Sequence, residues 1–101
     1  MLCKIPNPPY YAVIFTTLQS DNTEGYLEMA KQMEDLVSLQ KGFLGFDSAR
    51  DKVGITVSYW KDLESINLWR NNMEHQAAKQ TGKEQWYKDY TLRIAKVERQ
   101  Y

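Results

Sequence analysis

Cysteine is nearly absent from this 101-residue chain: Cys3 stands alone, so no internal disulfide can form. Histidine is as scarce. His75 is the only one, and the His/Cys clusters that hold zinc are missing with it. Neither sign of charge is in surplus, since Lys plus Arg is 13 and Asp plus Glu is 13. That balance argues against a dedicated nucleic-acid binder, which needs excess cations to displace counterions. It argues equally against electrostatic attachment to a membrane. The longest apolar run, Tyr10 to Phe15, is six residues, against the roughly 20 of a membrane helix. The opening Met-Leu-Cys-Lys-Ile-Pro lacks the apolar core of a signal peptide, so the expected address is cytoplasmic. No Gly-rich phosphate loop, no nucleophile–base signature and no acidic cluster suited to Mg²⁺ or Ca²⁺ is present.

What is present is aromatic. Three Trp, seven Tyr and three Phe make 13% of the chain, more than a small core needs, which points to a pocket or an interface. Length and a hydrophobic content of 43% fit one folded domain. The expected division is an extension over residues 1–9 and a single domain over 10–101.

The local pattern alternates strands and helices. Tyr10 to Thr17, after Asn7-Pro8-Pro9, is β-branched and aromatic and reads as a first strand. Both its parities are apolar: Tyr11, Val13 and Phe15 on one, Tyr10, Ala12 and Ile14 on the other. Such a strand is covered on both faces. Asp21, Asn22 and Thr23 offer helix caps, and Tyr26, Met29, Met33, Leu36 and Val37 recur at helical spacing over Tyr26–Gln40. Phe43–Ala49 and Val53–Trp60 read as strands joined by the turn Arg50-Asp51-Lys52. Gly45 and Gly54 mark bulges or close approaches. Asp62 caps a second helix over Asp62–Gln80, with the stripe Leu63, Ile66, Trp69, Met73 and Ala77. Lys83–Tyr90 suggests a short helical turn. Thr91–Glu98 is a last strand, with a bulge expected where the apolar phase changes between Ile94 and Ala95.

Strand-helix-strand-strand-helix-strand, with right-handed crossovers, gives a ferredoxin-like α+β fold: a four-stranded antiparallel sheet with both helices on one face. The other face then lacks a cover. A second copy of the chain, meeting it sheet to sheet, is the expected partner.

Several stretches resemble the antibiotic biosynthesis monooxygenase superfamily. They are Lys41-Gly42-Phe43-Leu44-Gly45-Phe46, Gly54-Ile55-Thr56-Val57-Ser58-Tyr59-Trp60 and Trp69. The tail, with Glu74-His75, Ala78, Gly82, Trp86-Tyr87, Tyr90 and Arg93 to Arg99, is similar to one little-characterised bacterial branch. The resemblance implies a dimeric α+β barrel. It also implies a small-molecule monooxygenase, cofactor-independent and acting on an aromatic or phenolic compound in an apolar pocket. A non-catalytic ligand-binding or stress-response protein of the same fold is the alternative, and a haem-degrading oxygenase the least favoured. Haem-degrading relatives place a ligand His ten residues after the helix Trp, where this chain has Lys79. They also use an Asn on the first strand, where Thr16 or Thr17 stands.

Trp69 and His75 are the catalytic candidates. Trp69 matches a pocket Trp of the relatives, yet its spacing also makes it a core residue. His75 is the one side chain titrating near neutrality, but six helical residues place it about 120° around from Trp69. A surface or hydrogen-bonding role suits it as well. The candidate ligand-binding set is Trp69, Met33, Tyr59, Met73, Trp86 and Arg93, each with a plain packing or salt-bridge role as the alternative. No resident cofactor or metal is expected. Deprotonation of an electron-rich substrate, which then reduces O₂ itself, requires a dry aromatic site rather than a redox centre.

Overall fold

The computed structural model describes residues 4–21, 25–79 and 87–101, with side chains outside 73–79 and 87–88. Its elements are β1 (Tyr10–Gln19), α1 (Tyr26–Ser38), β2 (Phe43–Arg50), β3 (Val53–Trp60), α2 (Leu63–Lys79) and β4 (Tyr87–Val97). The strands run antiparallel in the order β2-β3-β1-β4, the ferredoxin-like arrangement the element order implies.

Register sorts the side chains onto two faces, because strand residues alternate. Tyr11 pairs with Trp60, Val13 with Ser58, Phe15 with Thr56 and Thr17 with Gly54. On the other side of β1, the same residues pair with Lys96, Ile94, Leu92 and Tyr90. This face carries the helices. Val13 and Trp60 from the sheet join Val37 of α1 and Ile66 and Trp69 of α2 in one buried cluster, with Tyr11, Met33, Leu36 and Phe43 packed against it. Each such side chain contributes roughly 1.5–3 kcal/mol on burial, so this cluster is the main anchor of both helices. The opposite face carries Tyr10, Ala12, Ile14, Thr16 and Leu18, with Val53, Ile55, Val57 and Tyr59 beside them.

The helix ends follow local chemistry. Asp62 Oδ1 accepts the Ser65 N–H at 2.8 Å, capping α2 as its sequence position suggests. Hydrogen bonding from the Ser65 hydroxyl and from its backbone N–H, aided by Lys61 and Lys41, holds the Asp62 carboxyl below its usual range. α1 stops at Ser38, two residues before the expected Gln40; Leu39 N–H turns to the Leu36 carbonyl at 3.2 Å. Gly42 has φ +83° in the turn into β2, and its carbonyl accepts the Lys61 N–H at 2.7 Å. A Cβ on Gly42 would collide with the Ser65 side chain. The α1–β2 turn is thereby pressed onto the first turn of α2.

Three expectations are corrected. Tyr87–Tyr90 is strand, so β4 is longer than Thr91–Glu98, and the helical turn expected over Lys83–Tyr90 does not extend there; its first part lies outside the described residues. No bulge separates Ile94 from Ala95. Register runs unbroken from Tyr10↔Val97 to Leu18↔Asp89 and shifts only at Leu18/Gln19. The phase change reflects a strand with apolar groups on both faces: Leu92 and Ile94 on the helix side, Ala95 and Val97 on the other. Finally, Arg50 closes β2 rather than opening the turn.

Candidate functional site

The buried layer between sheet and helices is aromatic. Trp60, with no exposed surface, stacks on Trp69 with ring centroids 6.2 Å apart and 27° between planes. Phe43 meets Trp60 edge-on at 5.4 Å. The Trp60 indole N–H donates to Ser58 Oγ at 2.9 Å, so even the buried nitrogen is satisfied.

Further along the same face the cover thins. Phe15 and Tyr90 meet edge-to-face at 5.8 Å. Tyr90, Leu92 and Ile94 are 57%, 44% and 46% exposed although they point to the helix side. At this end Arg50 donates from Nη2 to Oγ1 of the buried Thr17, and its Cζ lies 5.4 Å from the Tyr26 ring centroid. Gly54 makes room for it, since a Cβ there would run into the guanidinium. Of the two glycines singled out on the hairpin, Gly54 is thus a close approach, and Gly45 sits at the β2 register shift.

The candidate residues divide between the faces. Trp69 and Met33 belong to the helix-side cluster. Tyr59 and Arg93 lie on the open face. Tyr59 donates to Asp47 Oδ2 at 2.9 Å and meets the Tyr10 ring at 5.8 Å. Arg93 donates to Thr91 Oγ1 at 2.9 Å. His75, Met73 and Lys79 lie on α2, their side chains outside the described set, and Trp86 lies outside the described residues. Thr17, one of the two threonines near the expected Asn position, is engaged by Arg50; Thr16 faces the open side. A shallow cleft of about 190 Å³ opens at the strand ends, lined mainly by open-face residues including Leu18, Val53, Asp89 and Thr91.

Sequence reading missed Arg50, Thr17 and Tyr26 as a group. The signal was parity: Arg50 is two residues from Ser48 and four from Phe46, both helix-side by register. Placing it in the turn hid that. Among the described residues no group of three or more His, Cys, Asp or Glu gathers as a metal site, and no helix is long and apolar enough to cross a membrane. The arrangement offers a buried aromatic layer, an exposed apolar strip of Tyr90, Leu92 and Ile94, and a cation at each end of that face, Arg50 near Thr17 and Lys96 opposite Tyr11. The combination is suited to an apolar or aromatic small molecule.

Comparison with known proteins agrees with this architecture. The antibiotic biosynthesis monooxygenase family matches over residues 9–81. The chain is 54% identical over 101 residues to the uncharacterised protein YqjZ of Bacillus subtilis, covering 98% of this chain and 89% of that one. It is 30% identical over 92 residues to the jasmonate monooxygenase ABM of Pyricularia oryzae; the match takes in 86% of this chain but 43% of that protein's length. A solved structure from Nitrosomonas europaea bearing the antibiotic biosynthesis monooxygenase name superposes with TM-score 0.69 at 12% identity, covering 93% of this chain and 94% of the other. At that identity the likeness speaks to the fold alone.

Proposed function

The chain belongs to the antibiotic biosynthesis monooxygenase family, and from that premise we propose that it is a cofactor-independent monooxygenase of an aromatic or phenolic small molecule. The ligand lies on the helix side of the sheet. The observation carrying this reading is that Val13, packed in the buried cluster with Trp60 and Trp69, pairs across the sheet with Ile94 of the exposed strip Tyr90, Leu92 and Ile94. A planar ligand seated on that strip replaces water with aromatic and aliphatic contacts. The monooxygenase name of the Pyricularia oryzae relative supports the reaction class.

In the reaction, the substrate loses an activated proton, and its anion passes electrons to O₂ and captures it as a hydroperoxide. Loss of water leaves a carbonyl. For an anthrone the balance is one O₂ consumed, one quinone and one water formed. Trp69 walls the site, and His75 is the candidate base on α2. The working unit is a homodimer, in which the open face of Ile14, Ile55 and Val57, with Leu18 and Val53 at its end, packs against the same face of a second copy.

The test is oxygen uptake across a panel of hydroquinones and anthrones. Uptake that falls tenfold or more in Trp69→Phe or His75→Ala, about 1.4 kcal/mol of transition-state stabilisation, with the fold intact, is the expected result. No uptake across the panel, while an apolar ligand still binds and raises Tm, would replace the enzyme with a ligand-holding protein of the same fold.

A further inference from the structure

We propose that Arg50 is a carboxylate-binding residue, and that the molecule held on the helix side is an apolar or aromatic acid bearing a single carboxylate. This rests on the reading that the helix side binds an apolar small molecule, and it names that molecule's polar end.

Four observations converge on Arg50. First, its partners among the described residues are a hydroxyl and a ring face, both neutral: Thr17 Oγ1 and Tyr26. A guanidinium carries five N–H donors. One bond to Thr17 fixes its orientation and leaves paired donors for a bidentate carboxylate. Second, Thr17 is 2% exposed, so the group that orients Arg50 is itself fixed in the sheet. Third, Gly54 has no side chain, and the guanidinium occupies the space a Cβ would need. Arg50 is solvent-exposed, and its guanidinium is folded back over the sheet at Gly54, within reach of a ligand on that face. Fourth, the surface beside it is apolar. Phe15 and Tyr90 flank Thr17 and Gly54 in the register, and Leu92 follows.

A pre-oriented cation next to exposed apolar surface matches a ligand with an apolar body and one anionic end. At the Thr17 end Arg50 is the cation, since Lys96 on the same face stands six residues along β1, opposite Tyr11; one positive charge at that end favours a carboxylate over a phosphate dianion. Preorganisation by Thr17 and Gly54 lowers the ordering cost of binding, so the preference for the charged ligand is an equilibrium effect of geometry as well as of charge.

Binding of two matched pairs, 2-naphthoate and decanoate each against its methyl ester, is measured by calorimetry on the whole chain. The expected result is that the wild type holds each acid about tenfold more tightly than its ester. Arg50→Gln brings the acid to the affinity of the ester and leaves the ester unchanged. Gly54→Ala, whose methyl must displace the guanidinium, lowers the preference while the arginine remains. Arg50→Lys, which keeps the charge and loses the bidentate fork, falls between. Esters binding as tightly as acids in the wild type, a requirement that needs no variant, would overturn the assignment and leave the apolar site standing. A preference surviving Arg50→Gln would overturn it too. If neither acid nor ester binds at about 1 mM, a free energy weaker than about −4 kcal/mol, the small-molecule reading fails and this proposal with it.

Discussion

Replacing Trp60 with Phe tests whether the layer between sheet and helices is packed as described. Trp60 has no exposed surface, touches Phe43 and Trp69 ring to ring, and donates its indole N–H to Ser58. Phenylalanine removes roughly 40 Å³ of side chain; at about 24 cal/mol per Å³ of unfilled cavity that is about 1 kcal/mol. The lost hydrogen bond adds about 0.5–1.5 kcal/mol, and weakened aromatic pairing about 0.5–1 kcal/mol. The sum is about 2–3.5 kcal/mol. For a chain of this size that lowers Tm by roughly 8–28 °C. Urea unfolding followed by circular dichroism at fixed protein concentration reads it, fixed because association shifts apparent stability. Ser58→Ala alone leaves the buried indole N–H without its acceptor, at about 1–3 kcal/mol. The double variant then costs less than the two single costs added, since both remove the same bond. A Trp60→Phe cost under about 0.5 kcal/mol, or strict additivity with Ser58→Ala, would refute the packing.

Gly42→Ala places a Cβ at φ +83° and against the Ser65 side chain; a loss of about 2–4 kcal/mol is expected from backbone and overpacking together, measured by the same urea assay. Asp62 has a depressed carboxyl pKa in the folded chain. Its stabilisation is therefore present above the unfolded value of about 3.9 and lost as pH falls through the lower folded value. Asp62→Asn, which still caps, is expected to be less stable than wild type near neutrality and to approach it in acid, as followed by Tm against pH. Ile55→Lys on the 44%-exposed open-face position is expected to leave the fold intact. Light scattering should fall from twice 11.9 kDa to that mass; a wild type already at 11.9 kDa would remove the sheet-to-sheet dimer.

The fold was legible because period and capping agree along most of the chain. The 3.6-residue stripe of α2 and its Asp62 cap needed no tertiary information, and Asp62 is found bonded to Ser65. The stripe also put Ile66 and Trp69 where the core has them. β4 was harder. Its two faces are both apolar, so alternation carries no phase, and a bulge was inferred where an ordinary strand runs on. The candidate site was legible only in part. Trp69 and Met33 follow from helical spacing, whereas Tyr59 and Arg93 sit across the sheet from them. Strand parity separates Tyr59 from Trp60 in the sequence itself, but which parity meets the helices depends on packing. Arg50 depended on a hairpin boundary, where one residue decides between turn and strand, and on the sheet register that brings Thr17 and Gly54 under it.

The central claim is that this chain inserts oxygen into a small aromatic molecule without a resident cofactor. An anthrone incubated with the purified protein under ¹⁸O₂ tests it most directly. The account predicts protein-dependent formation of a quinone carrying one ¹⁸O atom per molecule, with the second ¹⁸O recovered in water, and loss of that product in Trp69→Phe. Quinone formed no faster than in the protein-free control, across anthrones that bind, would contradict it.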